Sequence, residues 1–254
     1  MDTLKPHEEQ LMATHFRYDY ERSFQAVHKF EHMSASQLVN PEFMSTLFSH
    51  LKQYLHSDSL LAVASTFVKR YSYLVVTTGF CSLSVFNKQL DFSLNNIHLV
   101  LTDDDSRWFP SLRIDDISTI TNADPNNRYE WLQAASQELV HNHLLKVFET
   151  VHQVTKLPFP VMWESFATYF FWFYERYATK LVQEDSILTT MENDFHMIVH
   201  EFHGKMFGEK ENPLHKFSYQ LVLPTKARVR KTCCLTHMLN NESTYCKVCP
   251  HVCK

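Results

Sequence analysis

The sequence predicts an α+β fold, mainly helical, with a small antiparallel sheet and a metal-bearing C-terminal segment. Three observations carry this. Apolar residues recur at helical spacing over most of the chain. The period changes between about residues 89 and 115, where Leu90-Asp-Phe-Ser-Leu alternates apolar and polar. Five of the six cysteines crowd into the last 22 residues. The 254 residues (30.0 kDa) are 44% hydrophobic and 20% charged, enough for one sizeable core and too apolar for disorder. We expect a single domain over 1–254. It comprises a helical part at about 1–86, a β-meander at about 89–115, a second helical part at about 125–204 and a metal-binding tail at about 217–254.

Glu8 to Phe30 is polar with apolar residues at helical spacing, which predicts a first helix broken at Ser34-Ala-Ser36. Pro41 starts a second helix running to about His56, because proline is preorganised for the first helical position. Ser57-Asp58-Ser59 offers caps for a long apolar helix reaching about Ser84, with Gly79 inside it. Leu90-Asp-Phe-Ser-Leu alternates, Ile97-His-Leu-Val-Leu follows, and Asp103 to Ser106 turns the chain into Trp108 to Ile114. Asp124-Pro125 opens a helix to about Thr155. Pro158 and Pro160 separate it from an aromatic helix at about 160–183, and Asp185-Ser186 starts another that ends at Gly204. Phe217 to Leu223 alternates like a strand, stopped by Pro224.

Composition removes several function classes. Only three glycines occur, Gly79, Gly204 and Gly208, where a dinucleotide fingerprint needs three close together and a Walker loop needs two. Redox power on a Rossmann-bound nicotinamide is therefore excluded, as is a P-loop, and reducing equivalents must come from a metal centre or a partner. Net charge is −4, yet Thr225 to Lys254 holds six basic residues against one acidic. That basic stretch is too short and too rich in cysteine for a nucleic-acid arm and reads as a local anion-attracting surface. The first residues, MDTLKPHEEQ, are charged and lack an apolar leader core, which predicts a cytoplasmic, reducing setting in which clustered cysteines bind metal. The uncharged stretch Tyr71 to Asn87 and the aromatic stretch Val161 to Tyr177 read as core helices, so no stable membrane insertion is expected.

The tail reads Arg230-Lys-Thr-Cys-Cys-Leu-Thr-His237, then Tyr245-Cys-Lys-Val-Cys-Pro250, then His251-Val-Cys-Lys254. A zinc ribbon prefers two Cys-x2–4-Cys knuckles, and a vicinal pair in extended backbone points its thiols to opposite faces. An iron–sulfur cluster offers two irons and is held by cysteine thiolates at varied spacings. Both readings remain open on spacing alone, the zinc one implying a non-redox binding module stabilised by its metal. Cys81, alone in an apolar segment, reads as a buried small hydrophobe.

This tail resembles the C-terminal signature of FhuF-type ferric-siderophore reductases, in which Cys-Cys, about ten residues and Cys-x2-Cys hold a [2Fe–2S] cluster. Arg230-Lys231 before the pair, Leu235 after it and Tyr245-Cys-x2-Cys-Pro250 share the likeness. The apolar helix leading into Leu90-Asp-Phe-Ser-Leu-Asn-Asn-Ile-His-Leu-Val-Leu is similar to the middle of that family and, distantly, to the siderophore-synthetase C-terminal domain. The resemblance implies ligands Cys233, Cys234, Cys246 and Cys249. The intervening gap here is eleven residues and Cys253 is additional, which makes Cys253 an alternative ligand. It further implies one-electron reduction of a ferric siderophore, releasing Fe(II). Hard oxygen chelators grip Fe(III) far better than Fe(II). With no nucleotide site, electrons would come from an external donor such as a ferredoxin or flavodoxin system.

Around the cysteines, Lys226, Arg228, Arg230 and Lys231 are candidates for attracting an anionic ferric complex or raising the cluster potential, against the plainer reading of a solvated basic strand. His237, three residues after Cys234, is placed to donate to a cysteine sulfur. His196, His200 and His203 fall at i, i+4 and i+7 on one predicted helical face, without the zincin spacing. His28 and His32 are expected on the surface. The aromatic stripe Trp163, Phe166, Tyr169, Phe170, Phe173 and Tyr177 reads as core before it reads as a stacking platform, and Glu164 within it has no evident partner.

Overall fold

The computed structural model describes residues 2–20, 30–101, 108–122, 125–220, 222–225, 227–239 and 245–253. Two long helices form its centre. Helix α4 (Leu60–Phe80) is capped by Ser59, whose hydroxyl accepts from the Ala62 N–H at 3.2 Å, and continues as a π turn through Val85. Helix α7 (Phe159–Trp172), entered through Pro158 and Pro160, packs along it. Their contact is aromatic: Phe80 meets Phe170 edge-on at 5.1 Å, and Phe166 and Trp163 continue the seam to Phe207. Gly79 belongs to this crowding, since a Cβ there would lie 2.6 Å from Leu139. The apolar stretch after Tyr71 is thus core, and among the described residues no helix is long and apolar enough to cross a membrane.

The other helices enclose this pair. In chain order they are α1 (Pro6–Phe16), α2 (Ala35–Leu38), α3 (Pro41–Tyr54), α5 (Arg128–Ser136), α6 (Leu145–Thr155), α8 (Ala178–Leu181), α9 (Asp185–His196) and α10 (Pro213–Ser218). A π segment at Gln137–Leu144 joins α5 to α6, and another at Phe173–Tyr177 joins α7 to α8, so the predicted helices to Thr155 and through the aromatic run are continuous. Asn40 caps α3 by accepting from the N–H groups of Glu42 and Phe43.

The strands form two three-stranded antiparallel sheets. In one, β1 (Asp2–Thr3) and β3 (Lys88–Leu90) flank β6 (Ser118–Thr121); in the other, β2 (His32–Ser34) and β5 (Ser111–Ile114) flank β4 (Ile97–Val100). The fold class is therefore α+β and mainly helical. The expected single meander is instead divided, because β3 pairs with β6 and not with β4. Strands of two to four residues are too short to display an alternation, which is why β1, β2 and β6 escaped the sequence pattern. The predicted turn at Asp103 to Ser106 lies outside the described residues, as do Asp124 and His28.

Two further expectations are corrected. The helix predicted from Glu8 to Phe30 ends at Phe16: Arg17 turns left-handed (φ 57°), its guanidinium donates to the Pro110 and Phe109 carbonyls, and Tyr18 bridges to Leu112. The strand predicted at Phe217 to Leu223 begins as the end of α10, whose Asn212 cap and Pro213 at the first position set a helix burying Leu214 and Phe217. Cys81 is buried as expected, and burial pushes its thiol up.

His143 is fully buried, with Tyr71 Oη 2.6 Å from its Nε2. Burial raises the Tyr71 phenol well above its ordinary value, so the phenol stays protonated and shares one hydrogen bond with the neutral imidazole. The same desolvation lowers the His143 pKa from 6.5 to about 4. Below pH 6.5 the unfolded chain takes up a proton that the native chain refuses until about pH 4, so native stability falls as pH drops through this window, by roughly 3 kcal/mol. His143→Gln should flatten the dependence of the urea midpoint on pH between 6.5 and 4. Parallel wild-type and variant curves would refute the assignment.

Candidate functional site

The C-terminal segment reaches the helical body at one buried acid. Glu164, in the first half of α7, is inaccessible to solvent. Its carboxylate accepts from the Lys231 N–H at 2.5 Å, the Thr232 N–H at 2.7 Å, the Thr232 hydroxyl and the Gln220 amide, and Arg230 Nε lies 3.7 Å away. A buried carboxylate is tolerable only when ringed by such donors. Arg230, itself buried, then spreads outward. Its Nη2 donates to Ser165 Oγ at 3.2 Å, its Nη1 to Thr168 Oγ1 at 3.4 Å and its Nε to the Thr232 carbonyl at 3.2 Å. Its backbone N–H donates to the Val248 carbonyl at 2.9 Å, which brings the Cys246–Cys249 turn beside the Cys233–Cys234 pair.

Helix α4 supplies a second anchor, Ser65 donating to the Cys234 carbonyl at 2.9 Å, and Ser57 a third, donating to the Met238 carbonyl at 3.2 Å. Immediately after the pair, Leu235 adopts a left-handed conformation (φ 57°), unusual for a branched residue. This turn aims the Leu235 N–H at Cys233 Sγ (3.4 Å) and sets the Thr236 hydroxyl 3.2 Å from Cys234 Sγ. Cys234 and Cys246 hold their sulfurs 3.8 Å apart. The Cys246–Cys249 loop is a tight turn closed by the Cys249 N–H on the Cys246 carbonyl at 3.0 Å.

The electrostatics distinguish the thiols. Hydrogen bonding from Cys246, reinforced by Thr236 and by the Lys69 ammonium, lowers Cys234 and makes it the first to ionise. The same contact, with burial, raises Cys246. Burial raises Cys233, partly offset by the Leu235 N–H, and negative charge on Cys234 or Cys249 adds to the rise. The four thiols thus feel one another, whereas Cys253 turns its sulfur to the Lys247 carbonyl at 3.2 Å. Two thiolates on one tetrahedral ion with metal–sulfur bonds of about 2.3 Å stand about 3.8 Å apart. The Cys234–Cys246 separation fits that requirement, and four soft thiol donors suit either zinc or an iron–sulfur centre. Among the described residues no group of three or more His, Cys, Asp or Glu side chains is gathered closely enough to hold a metal ion.

The other predicted residues divide sharply. Arg230 is the buried clamp just described and presents no free cation. Arg228 is committed too: it pairs with Glu175, donates to the Ser218 carbonyl at 2.6 Å and lies 4.3 Å over the Phe171 ring. Lys231 is exposed, its Nζ reaching the Lys216 carbonyl at 3.2 Å, and Lys226 lies outside the described residues. Of the four basic residues read either as anion-attracting or as a solvated strand, the two arginines are locked to acids of α7 and its π extension. His237 stands with Nδ1 3.7 Å from Cys233 Sγ and stacks on Tyr245 at 4.8 Å.

The histidine stripe does not form as predicted. A π turn at Met197–Glu201 changes the helical phase, and His203 leaves the helix in extended conformation. His200 instead meets His196 at 5.0 Å and His215 at 5.5 Å, and His196 pairs with Glu201 at 3.1 Å. His32, expected on the surface, is half-buried on β2 against His98 at 4.8 Å, where desolvation lowers its pKa. Sequence reasoning missed Lys69, Ser65 and the role of Glu164. The only signal for the last was a lone carboxylate in an apolar aromatic helix.

Removing the Glu164 charge while keeping its shape leaves Arg230 buried without its counterion, a loss of about 3 kcal/mol or more. Glu164→Gln should therefore lower the melting temperature and expose the chain beyond residue 220 to limited proteolysis while the helical body persists. Wild-type protease resistance in that variant would disprove the clamp.

No curated protein matches the chain. A family model described as "Ferric iron reductase FhuF-like transporter" matches residues 65–229, from the Ser65 anchor through both central helices to the residue before Arg230. That match spans well over half of the 254 residues, and the chain belongs to the FhuF-like ferric iron reductase family.

Proposed function

We propose that the protein reduces Fe(III)–siderophore complexes by one electron in the cytosol, using a [2Fe–2S] cluster held by Cys233, Cys234, Cys246 and Cys249, and thereby releases Fe(II). The observation that carries this reading is the Cys234–Cys246 pair, 3.8 Å apart, suspended from a helical body that belongs to a ferric iron reductase family. A ferric reductase needs an electron relay, and with three scattered glycines the chain lacks the phosphate-binding loops of nicotinamide and nucleotide sites. When bound, the cluster supplies single electrons delivered by an external protein such as a ferredoxin or flavodoxin.

The chain's own residues hold and tune that centre. Glu164 and Arg230 fix the Cys233–Cys234 segment against the Cys246–Cys249 turn. The Leu235 N–H and Thr236 hydroxyl donate toward sulfur, and Lys69 contributes positive charge, all of which stabilise added electron density and raise a reduction potential. Six free cysteines, five of them clustered, support a reducing compartment. Fe(II) is a softer, lower-charge ion than Fe(III), so hard oxygen donors lose their grip once the electron arrives.

Anaerobically purified protein should be reddish brown, hold about two irons and two sulfides per chain and give an S = 1/2 signal after dithionite. Cys246→Ser should abolish the visible spectrum, and Cys253→Ser should leave it intact. Colourless wild-type protein with one zinc per chain would overturn the reading in favour of a metal-stabilised binding module.

A further inference from the structure

We propose that His196, His200 and His215 form a binding site for a first-row divalent transition-metal ion, separate from the cysteine centre and independent of the ferric-reductase reading. Imidazole nitrogen suits Fe(II), Ni(II), Cu(II) and Zn(II). His196 closes α9, and His200 lies in the π turn at Met197–Glu201 that continues it. Four residues apart, the two rings share one face and stand 5.0 Å from each other. The third ring arrives from α10, where His215 stands 5.5 Å from His200. Two imidazoles on one tetrahedral ion, with metal–nitrogen bonds of about 2.0–2.1 Å, hold their ring centres about 5 Å apart. Both separations fall near that value.

A buried side chain builds this meeting. Asn212 donates its amide to the Ile198, Val199 and Phe202 carbonyls at 2.8, 3.3 and 3.1 Å, and its Oδ1 accepts from the Leu214 N–H at 2.9 Å. One residue thus satisfies the carbonyls at the end of the π turn and caps α10, which fixes His215, in the first turn of that helix, beside His200. Two of the rings are also oriented as metal ligands are. His196 Nδ1 pairs with Glu201 at 3.1 Å and His215 Nε2 with the Tyr219 hydroxyl at 3.1 Å, so Nε2 of the first and Nδ1 of the second remain for an ion. Such a partner on the far nitrogen is what sets tautomer and ring orientation in metal-binding histidines. The donors do not meet at one point as they stand. All three histidines are exposed, so rotation about side-chain bonds, without movement of the backbone, brings them together. His196 and Glu201 also line the cleft of about 580 Å³ at the far end of α4, which leaves room for water or a small ligand at a fourth position.

The test is calorimetric titration of the holoprotein with Ni(II). Wild type should bind one Ni(II) per chain at the histidines. Loss of an outer partner alone costs about 10–100-fold in metal affinity, so His200→Gln and His215→Gln should each weaken binding by at least about tenfold. Glu201→Gln, which leaves every imidazole in place, should weaken it about tenfold. These side chains are exposed, and the variants should keep the wild-type melting temperature. Wild-type affinity in His215→Gln would leave only a two-histidine surface chelate and overturn the site, as would wild-type protein that takes up no Ni(II). Nickel held by the cysteines instead would show a thiolate-to-metal absorption band and persist in the histidine variants, which also counts against the site.

Discussion

The carboxylate of Glu164 is shut off from water in the middle of an aromatic helix, and every donor around it comes from the C-terminal segment: Gln220, Arg230, Lys231 and Thr232. Desolvating a carboxylate costs several kcal/mol, which these partners offset. The geometry that results is specific. Two consecutive backbone N–H groups on one acid fix the bend of the chain at residues 231 and 232, and Cys233 and Cys234 follow directly. Arg230, the counterion of that acid, uses its own N–H to catch Val248. One buried charge thereby determines where both cysteine pairs stand.

The helical body exists to make that point rigid. Helices α4 and α7 interlock through Phe80, Phe166 and Phe170, with Gly79 permitting the close approach of Leu139. Edge-on aromatic packing leaves little freedom for α7 to rotate, so Glu164, Ser165 and Thr168 keep facing the clamp. Ser65 near the start of α4 grips the Cys234 carbonyl, so the two helices that define the core also hold the cysteine segment. The π extension of α7 contributes Glu175, which neutralises Arg228.

The matched family region ends at residue 229, before Arg230 and all the clustered cysteines. Glu164 lies inside it and its partners Lys231 and Thr232 outside it, so the clamp is the physical join between the family body and the candidate centre. The thiols of the candidate centre sit beside backbone N–H groups, a hydroxyl and the Lys69 ammonium, and one edge remains near the surface, where Tyr245, Lys247 and His251 are exposed.

The long helices were legible because local rules agree with tertiary demand: Ser59 and Asn40 cap, Pro41 and Pro160 start, and apolar residues recur on buried faces. Strands β1, β2 and β6 were not, nor was the end of α1 at Arg17, because both are set by partners distant in sequence such as Leu112 and Thr119. The basic residues show the limit most clearly. In sequence, Arg228 and Arg230 are two positive charges on an alternating stretch; in the fold they neutralise Glu175 and Glu164, while Arg176 of the aromatic run has no ion pair among the described residues. The sequence by itself determined the donor types, the helical body and the family likeness. Only the tertiary structure decided which charges are spent internally and which thiols meet, because ion pairing and burial depend on distances between residues dozens of positions apart.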